Sequence, residues 1–407
     1  LFRLHKQSSL AKRILIYTNH FYPEQFKINE IVEWLSHKDV HIRVLTGLPN
    51  YPSGRIISGY SNIFKENVII NRLFLIPRGK GSIFLLYVNY ITYFISCFFF
   101  TIYIAIFKKK YDVIFVHHTS PIFIAIHPII YSVFRKTKKI LWDLDIWPES
   151  LKAVDVIKSN FFISVIESTV KMIYSKYDKI LVSSDSITKV VKNRFSGDII
   201  YFPNWAEKVI EENNVNINFK SNLNPNKFNI IYTGNIGKAQ NFDYLVRTIQ
   251  LLDENIHWTF VGDGRFKQDF KNIINKKHLT KKVDFIDQVT IDNIPSIINL
   301  ADSLFLSLKS HHIFSKTVPA KLQTYMALGK PIIAVISGEG AKLIKDSNCG
   351  IVEENYDYEK LAKKINNFAK MDKKRLKVLG DNARKYYKRV FSSSIRKEEI
   401  LNLLYEQ

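Results

Sequence analysis

The chain has little cysteine: Cys97 and Cys349 are the only two in 407 residues, and they lie far apart in unlike sequence contexts. This excludes a disulfide framework and a cysteine-based metal cluster, so a reducing cytoplasm is the expected compartment. Near the N-terminus, no long apolar core precedes a small-residue cleavage site. We therefore expect no signal peptide.

Acidic residues are also scarce, because 37 Asp and Glu oppose 59 Lys and Arg and leave a net charge of +22. Such a surplus favours an anionic partner, which could be nucleic acid, anionic lipid or a phosphorylated substrate. A compositional bias toward lysine could account for part of it. The hydrophobic content of 46% is that of a globular protein. The length predicts two domains of roughly 200 residues each.

Charge is absent altogether from residues 81–107, where most positions are Ile, Leu, Phe, Tyr or Val. As a helix, this segment is long enough to cross a hydrocarbon core of about 30 Å. A true span would leave the strands predicted before and after it on opposite sides of the bilayer, unable to share a sheet. We therefore expect an interfacial helix whose flanking lysines 108–110 contact anionic headgroups. A buried core helix is the second interpretation, and a span is the third.

Short, continuous apolar runs recur along the chain with helical segments such as 28–36 and 242–252 between them. The runs are 13–18, 40–46, 112–117, 140–146 and 179–183 in the first half, and 229–233, 258–261, 283–286, 303–308 and 331–336 in the second. Runs without alternation are typical of parallel strands covered by helices on both faces. Together with the intervening helices they predict an α/β fold of two doubly wound parallel-sheet domains facing a cleft.

The same pattern predicts the domain boundaries. We expect a first domain over 1–206 containing the apolar helix, a polar linker over 207–227, and a second domain over 228–390. We expect a terminal helix over 391–407 to pack back on the first domain.

Glycines follow two predicted strands of the second half, where Gly234-Asn235-Ile-Gly237-Lys238 comes after one strand and Gly262-Asp263-Gly264 after the next. Glycines at a strand exit let backbone N–H groups approach a phosphate closely. Either motif alone is weak, since any tight turn uses glycine. Both belong at one edge of one sheet, which is where ligands bind in such folds.

A short helix with marked ends belongs to the same edge. Pro319 suits its first position and Gly329 the residue just past its end, while Lys321 and Thr324 share one face and Lys316 precedes it. A cation near a helix N-terminus suits a diphosphate that carries a sugar. The alternative is a surface helix between two strands, and the neighbouring glycine exits favour the phosphate site.

In the first half, three carboxylates and two tryptophans crowd the segment 142–150, which follows a buried strand. Carboxylates bind sugar hydroxyls, and aromatic faces pack against the C–H surface of a sugar ring. Asp143 and Asp145 also mimic an Asp-x-Asp metal motif, but we expect no metal because the second domain already offers a cation and helix termini for phosphates. Glu149 can equally be a carboxylate that stabilises a helix N-terminus.

Other strand-exit loops of the first half are dense in polar and turn residues. They contain His20, Glu24, Asn50 and Tyr51, while His118 ends another predicted strand. A histidine in such a place is more often a hydrogen-bonded structural residue than a catalytic one.

Taken together, these motifs resemble the bacterial family 4 retaining glycosyltransferases of GT-B fold, in the branch of the O-antigen and capsule N-acetyl-L-fucosaminyltransferases. The matching segments extend over nearly the whole chain. They are 22–24, 47–54, 77–81, 145–150, 203–205, 234–237, 261–264 and 319–331.

The resemblance implies two Rossmann-like domains, a UDP-sugar donor in the second, and in the first a saccharide acceptor on a polyprenyl diphosphate. It implies no metal or other cofactor, and retention by front-face attack. The implied donor-binding residues are Gly234, Asn235, Gly237, Lys238, Gly262, Asp263, Gly264, Lys316, Lys321 and Thr324. The implied acceptor-binding residues are His20, Glu24, Asn50 and Tyr51, and the catalytic candidates are Asp145, Glu149 and His118.

The chain also departs from the family. Asn235 and Gln240 stand where relatives usually have Arg and Lys, and Lys316 and Thr324 replace a pair of glutamates, of which the second usually holds the ribose. Lys321 is therefore the best candidate for the charge that binds the diphosphate.

The expected protein is a cytoplasmic enzyme, peripheral on the inner face of the bacterial plasma membrane and bound to its anionic surface. One alternative is a nucleotide-sugar epimerase of GT-B fold, which needs neither a lipid acceptor nor a membrane helix. Another is a nucleic-acid binder, suggested only by the net charge. That function expects aromatics interleaved with a basic groove, whereas many aromatics here lie in 81–107. We expect no nucleic-acid partner.

Overall fold

The chain forms two compact units, one of Leu1–Phe202 with Leu401–Gln407 and one of Pro203–Ile400. The structure is a computed structural model, and it describes residues 11–79, 82–153, 159–214, 225–311 and 314–406. Each unit is a parallel sheet with helices packed against it.

The first unit contains a parallel sheet whose strands follow the order β3-β2-β1-β4-β5-β6-β7. Its described strands are β1 Lys12–Thr18, β2 Val40–Gly47, β3 Val68–Leu73, β4 Val113–His118, β5 Lys138–Asp143, β6 Lys179–Val182 and β7 Asp198–Tyr201. Its helices are α1 Lys27–Ser36, α2 Ile83–Phe107, α3 Ile126–Phe134, α4 Glu149–Ala153, α5 Asn160–Tyr174 and α6 Asp185–Lys192. Because the central strands are buried on both faces, most of their residues are apolar.

The second unit contains a parallel sheet of order β10-β9-β8-β11-β12-β13. Its described strands are β8 Phe228–Thr233, β9 Ile256–Val261, β10 Val283–Ile286, β11 Ser303–Ser307, β12 Ile332–Val335 and β13 Gly350–Glu353. The helices are α7 Lys208–Glu212, α8 Phe242–Gln250, α9 Lys267–Lys276, α10 Ile294–Asn299, α11 Ala320–Leu328, α12 Glu339–Asp346, α13 Tyr358–Ala369 and α14 Lys373–Val390. A last helix, α15 Ser393–Tyr405, begins in this unit, and its residues from Leu401 onward belong to the first unit. Two Rossmann-like sheets were predicted from the apolar runs, and that prediction is confirmed.

Three strands escaped the sequence prediction, and all three lie at sheet edges. They are β3, β7 and β13, each of which pairs with a neighbouring strand on one side only. An edge strand is half-covered, so it carries polar residues, as in the sequence Val-Ile-Ile-Asn-Arg-Leu of β3. The strand predicted over 140–146 is shorter than expected and ends at Asp143.

Helix α2 covers the sheet of the first unit along its length. One stripe of the helix is buried, and its residues, four or three apart, are Asn89, Tyr93, Cys97, Thr101, Ile104 and Ala105. The hydroxyl of Tyr93 donates to the carbonyl oxygen of Thr18 at 3.0 Å, and the Tyr17 and Thr101 hydroxyls lie 3.2 Å apart.

The opposite face of α2 is apolar and open. Phe84 is 73% exposed and Phe99 is 66% exposed. By length and composition alone, the helix could cross a membrane. The inner stripe of the helix packs on the sheet, and the outer stripe is exposed. Its outer face is what an interfacial helix would offer to a membrane surface.

Helix α11 begins one residue later than predicted. Pro319 is not its first residue but its N-cap, with an extended ψ of 134°, and Ala320 begins the helix. Lys316 lies outside it, in the short 3-10 turn Phe314–Lys316. Gly329 ends the helix as predicted, with a left-handed φ of 68° that a residue with a side chain would adopt at a cost.

Part of the predicted linker is helical, because α7 lies within 207–227. The Glu211 carboxylate at its end accepts hydrogen bonds from the Tyr387 hydroxyl at 2.6 Å and from the Ser393 backbone N–H at 2.7 Å, both in the second unit. Residues 215–224 of that linker lie outside the described residues. At the C-terminus, Lys138 of the first unit donates to the carbonyl oxygens of Leu403 and Glu406.

Candidate active site

The two glycine-rich exits of the second unit are joined by backbone hydrogen bonds. Strands β8 and β9 end side by side, with Thr233 opposite Val261. Beyond them, the Gly234 N–H donates to the carbonyl of Val261 at 2.9 Å, and the Ile236 N–H donates to that of Asp263 at 2.8 Å. The loops therefore continue the parallel pairing past the ends of the strands, which holds them close together.

That close approach requires glycine at position 262. Its φ is +139°, and an added Cβ would lie 2.1 Å from the carbonyl oxygen of Gly234. Gly264 is similarly crowded, since its Cβ would lie 2.3 Å from the Ile236 carbonyl oxygen. The glycines predicted to let a phosphate approach thus also let the two loops approach each other.

An open cavity of about 450 Å³ lies at this edge of the sheet. Five predicted donor-binding residues line it: Gly234, Asn235, Gly262, Asp263 and Gly264. The sequence did not single out its other lining residues, among them Gln288, Val289 and Ile294, which follow β10. Their position after a third strand of the same sheet could have identified them. They were overlooked because they are neither glycines nor charged residues.

Lys321 lies directly beside these exits, in the first turn of α11. Gly234 makes room for it, since a Cβ on Gly234 would lie 2.7 Å from Cε of Lys321. The Lys321 Nζ lies over the Tyr232 ring, 5.0 Å from the centroid, and makes no hydrogen bond or ion pair with a described residue. Burial lowers its pKa to about 8, because no carboxylate compensates the desolvated charge. A bound anion would therefore stabilise the charged form of Lys321.

The other predicted donor residues do not line this cavity. The Thr324 hydroxyl donates to the Ala320 carbonyl within α11, Lys238 is exposed after Gly237, and Lys316 lies in the preceding turn. The Gln240 side chain accepts from the Gly237 N–H at 3.0 Å and so closes the turn in which relatives have a lysine. Their roles in donor binding stay predictions.

Among the three catalytic candidates of the first unit, only Asp145 has a carboxylate without a partner. It is half-buried just beyond β5 and makes no hydrogen bond or ion pair with a described residue. His118 is fully buried, with Nδ1 2.7 Å from Oδ1 of Asp143, whose other oxygen accepts from the Tyr174 hydroxyl. Asp143 is thus engaged beneath the surface and does not form an Asp-x-Asp pair with Asp145.

Glu149 is held by an arginine that the sequence analysis did not connect to it. Its two oxygens accept from Nη1 and Nη2 of Arg194 at 2.9 and 2.6 Å, and Arg194 also donates to the Trp147 carbonyl. This bidentate pair fixes the loop that presents Asp145. His118 is fully buried and Glu149 is partly exposed, and both make hydrogen bonds within the protein. Their predicted catalytic roles stay predictions.

The predicted acceptor residue Glu24 is buried and braces two loops. Its Oε1 accepts from the N–H groups of Asn50 and Tyr51 at 2.8 and 2.7 Å, and its Oε2 accepts from the His20 ring at 2.9 Å. Burial raises the pKa of Glu24, but the hydrogen bonds that it accepts from His20 and from the N–H groups of Tyr51 and Asn50 outweigh this effect and leave the pKa below its ordinary value. Glu24 thus connects two loops from within, and its predicted role in acceptor binding stays a prediction.

The groups that Glu24 braces converge on a residue the sequence analysis missed. Arg78 donates from Nε to Oδ1 of Asn50 at 3.2 Å and from Nη2 to Nε2 of His20 at 3.1 Å, and its guanidinium lies over the Tyr51 ring. His20 and Asn50 are buried, so Tyr51 is the exposed member of the four predicted acceptor residues. Arg78 lies in the segment 77–81 that carries the family resemblance, which was the signal available.

Residues 214–386 match the family model described as glycosyl transferases group 1. This range contains the cavity and Lys321. The matched range lies within the second unit. The match and the glycosyltransferase relatives support a transferase enzyme.

The curated relatives are distant in sequence. The chain is 25% identical over 165 residues, 39% of this chain, to the putative colanic acid biosynthesis glycosyl transferase WcaI of Escherichia coli (strain K12). The match spans about half the length of the curated relatives, 40% of WcaI and 55% of an uncharacterized glycosyltransferase of Methanocaldococcus jannaschii. Both are glycosyltransferases, which does not support the epimerase alternative.

Solved structures resemble nearly the whole chain. Sucrose-phosphate synthase of Thermosynechococcus elongatus superposes with a TM-score of 0.70 at 15% identity, covering 96% of this chain and 98% of that one. Anabaena Alr3699/HepE in complex with UDP superposes with a TM-score of 0.67 at 12% identity, covering 97% and 99%. At these identities the likeness bears on the fold, which is GT-B.

A Gly262→Ala variant tests the joined exits of the group 1 domain. Because its Cβ would collide with the Gly234 carbonyl, the loops must separate, and we expect a lower melting temperature and at least tenfold weaker UDP binding by calorimetry. Gly59→Ala is the matched control, since Gly59 has a φ of +76° but nothing within 4 Å of the added carbon. UDP affinity equal to that of the parent in Gly262→Ala would contradict this view of the site.

Proposed function

We propose that the chain is a glycosyltransferase that moves a sugar from a UDP-sugar to a saccharide on a polyprenyl diphosphate. The sugar would be an N-acetylated amino or deoxy sugar such as N-acetyl-L-fucosamine, and the product an intermediate of a surface polysaccharide such as O-antigen or capsule. The observation that carries the proposal is Lys321, a desolvated cation without a counter-charge beside a cavity built from glycine-rich strand exits.

The donor would bind in the second unit with its diphosphate near Lys321 and the N–H groups of the exits. Negative charge grows on the leaving UDP as the bond between the anomeric carbon and the phosphate oxygen breaks. A cation that is poorly solvated beforehand stabilises that charge strongly, and more so in the transition state than in the ground state. Crystallised Anabaena HepE holds UDP, which supports the choice of nucleotide.

On the acceptor side, Asp145 would orient the attacking hydroxyl by accepting a hydrogen bond from the saccharide. Its carboxylate is available for this because no described residue engages it. In front-face attack, the acceptor oxygen bonds to the anomeric carbon on the side that UDP leaves. The hydroxyl proton passes to the departing diphosphate, so the configuration is retained and no metal is needed.

Membrane contact through α2 fits a lipid-linked acceptor. The outer face of this helix is apolar from Phe84 to Phe107, and lysines 108–110 follow it directly. Such a face would bury its aromatic side chains at the headgroup boundary while the lysines contact anionic lipid. The protein would therefore be cytoplasmic and peripheral on the inner face of the plasma membrane. The name of WcaI, a putative colanic acid biosynthesis enzyme, supports a polysaccharide product.

The direct test supplies the purified protein and bacterial membranes with a panel of labelled UDP-sugars. We expect label from one of them to enter solvent-extractable lipid, and Lys321→Gln to lower the rate at least tenfold because the leaving diphosphate loses its cation. Lys342→Gln, which removes an exposed charge from α12, should leave the rate unchanged. A folded parent that binds UDP but labels no lipid from any donor would overturn the proposed function.

The membrane contact has its own test, in which binding to phosphatidylglycerol vesicles is measured by sedimentation. Changing both Phe84 and Phe99 to Ser should weaken binding at least tenfold, since two exposed aromatics no longer enter the interface. Leu251→Ser, at an exposed apolar position of the second unit, is the matched control. Equal binding by the parent and the double variant would show that α2 does not carry the contact.

A further inference from the structure

Arg78 occupies a defined place at the carboxyl edge of the first sheet, between β3 and α2. Three side chains fix its guanidinium, since Asn50 and His20 accept its hydrogen bonds and the Tyr51 ring lies 5.4 Å below it. A long side chain on a loop would ordinarily sample many rotamers in solvent. Because three partners hold the Arg78 guanidinium in one position, a ligand that binds there would not have to order the side chain first.

The proton positions in this cluster follow from Arg78 itself. Because a guanidinium can only donate, Nε2 of His20 must accept from it, and the ring proton must lie on Nδ1. That N–H then donates to Oε2 of Glu24. The hydrogen bonds therefore run in one direction, from Arg78 to His20 and from His20 to Glu24.

The charge of Arg78 is not balanced by a direct partner. Among the described residues, no carboxylate forms an ion pair with it, because Glu24 lies behind His20 and its oxygens are already occupied by backbone N–H groups. Glu24 also interacts electrostatically with a second arginine, Arg72. The outer edge of the Arg78 guanidinium is thus left with an unmatched positive charge and open donors.

The surroundings of Arg78 present three chemistries together. Tyr90, on the second turn of α2, interacts electrostatically with both Arg78 and Asp145. On the same first turns of α2, Phe84 and Tyr87 are exposed. A free carboxylate for a hydroxyl, a guanidinium for an anion and an apolar helix face therefore converge at one edge of the first unit.

We propose that Arg78 binds a phosphate group of the lipid-linked acceptor, with the saccharide toward Asp145 and the lipid chain along the outer face of α2. This assignment rests on the proposed function, whose acceptor carries a diphosphate between its sugar and its lipid. His20, Asn50 and Glu24 are positioning residues that hold the guanidinium in place. A planar donor fork matches two phosphate oxygens, which a lysine at the same place would not do.

The test measures binding of farnesyl diphosphate to the full chain, with saturating UDP present so that the donor site is filled. We expect Arg78→Gln to weaken this binding at least tenfold and Arg78→Lys to give an intermediate loss, with melting temperatures close to that of the parent. Affinity for farnesol, which lacks phosphate, and for UDP should not change. Arg55→Gln, which removes an exposed arginine of the preceding loop, is the matched control and should bind like the parent.

A second arm separates the acceptor from the general membrane surface, since phosphatidylglycerol also offers a phosphate. The proposal expects Arg78→Gln to bind phosphatidylglycerol vesicles as Arg55→Gln does. If Arg78→Gln loses vesicle binding as strongly as farnesyl diphosphate binding, Arg78 is a headgroup contact and the proposal fails. It also fails if Arg78→Gln binds farnesyl diphosphate like the parent, or if the parent does not bind it.

The proposed function can fail separately. A parent that binds farnesyl diphosphate through Arg78 but labels no lipid from any UDP-sugar would overturn the transferase assignment and leave the phosphate site standing. A parent that labels lipid while Arg78→Gln binds farnesyl diphosphate normally would overturn only the role of Arg78.

Discussion

Parallel strands that are apolar on both faces must be covered on both faces, and they all end at the same edge of their sheet. This constraint determines where helix α2 and the strand-exit loops lie. It requires α2 to lie on the first sheet instead of leaving it, which fastens Tyr93 to the end of β1 and turns the opposite apolar face outward. It also places the strand-exit loops of each unit at one edge of that unit's sheet. Asp145 and Arg78 lie at this edge in the first unit, and the glycines lie at the corresponding edge of the second unit.

At the carboxyl edge of the second sheet, the glycines determine both how closely the strand-exit loops approach each other and how Lys321 is buried. Gly262 and Gly264 allow two loops to pair beyond their strands, and Gly234 leaves the space that Lys321 fills. The lysine is therefore partly desolvated without an anion beside it, which is unfavourable in the free protein and becomes favourable once an anion binds. A donor diphosphate would supply that anion.

Sequence patterns predicted what is local or periodic. The central strands, the ends of α11 near Pro319 and Gly329, and the glycine exits each leave a mark on a few adjacent residues. The edge strands β3, β7 and β13 do not, because half-covered strands lack a continuous apolar run. The missing counter-charge of Lys321 and the pairing of Glu149 with Arg194 depend on residues distant in sequence, and no spacing reveals them.

The loops predicted to bind the acceptor also depend on contacts between residues that are distant in sequence. The family resemblance implied His20, Glu24 and Asn50, which lie in strand-exit loops, as acceptor contacts. In the structure these side chains are buried and bond to one another, and the residue that they support is Arg78. The sequence identified the polar loops, whereas only the three-dimensional contacts show which of their side chains are buried and which group they support.

Lys321 is a cation without a counter-charge among the described residues, and the proposed donor diphosphate would neutralise it. Calorimetry of UDP binding in buffers of different ionisation enthalpy measures it directly, as the number of protons taken up per UDP. With a pKa of about 8 in the free protein, binding should draw about half a proton near pH 8 and more as the pH rises toward 9, because the bound diphosphate raises that pKa. Lys321→Gln should take up none. Binding without proton uptake between pH 8 and 9, or equal uptake by Lys321→Gln, would contradict the account.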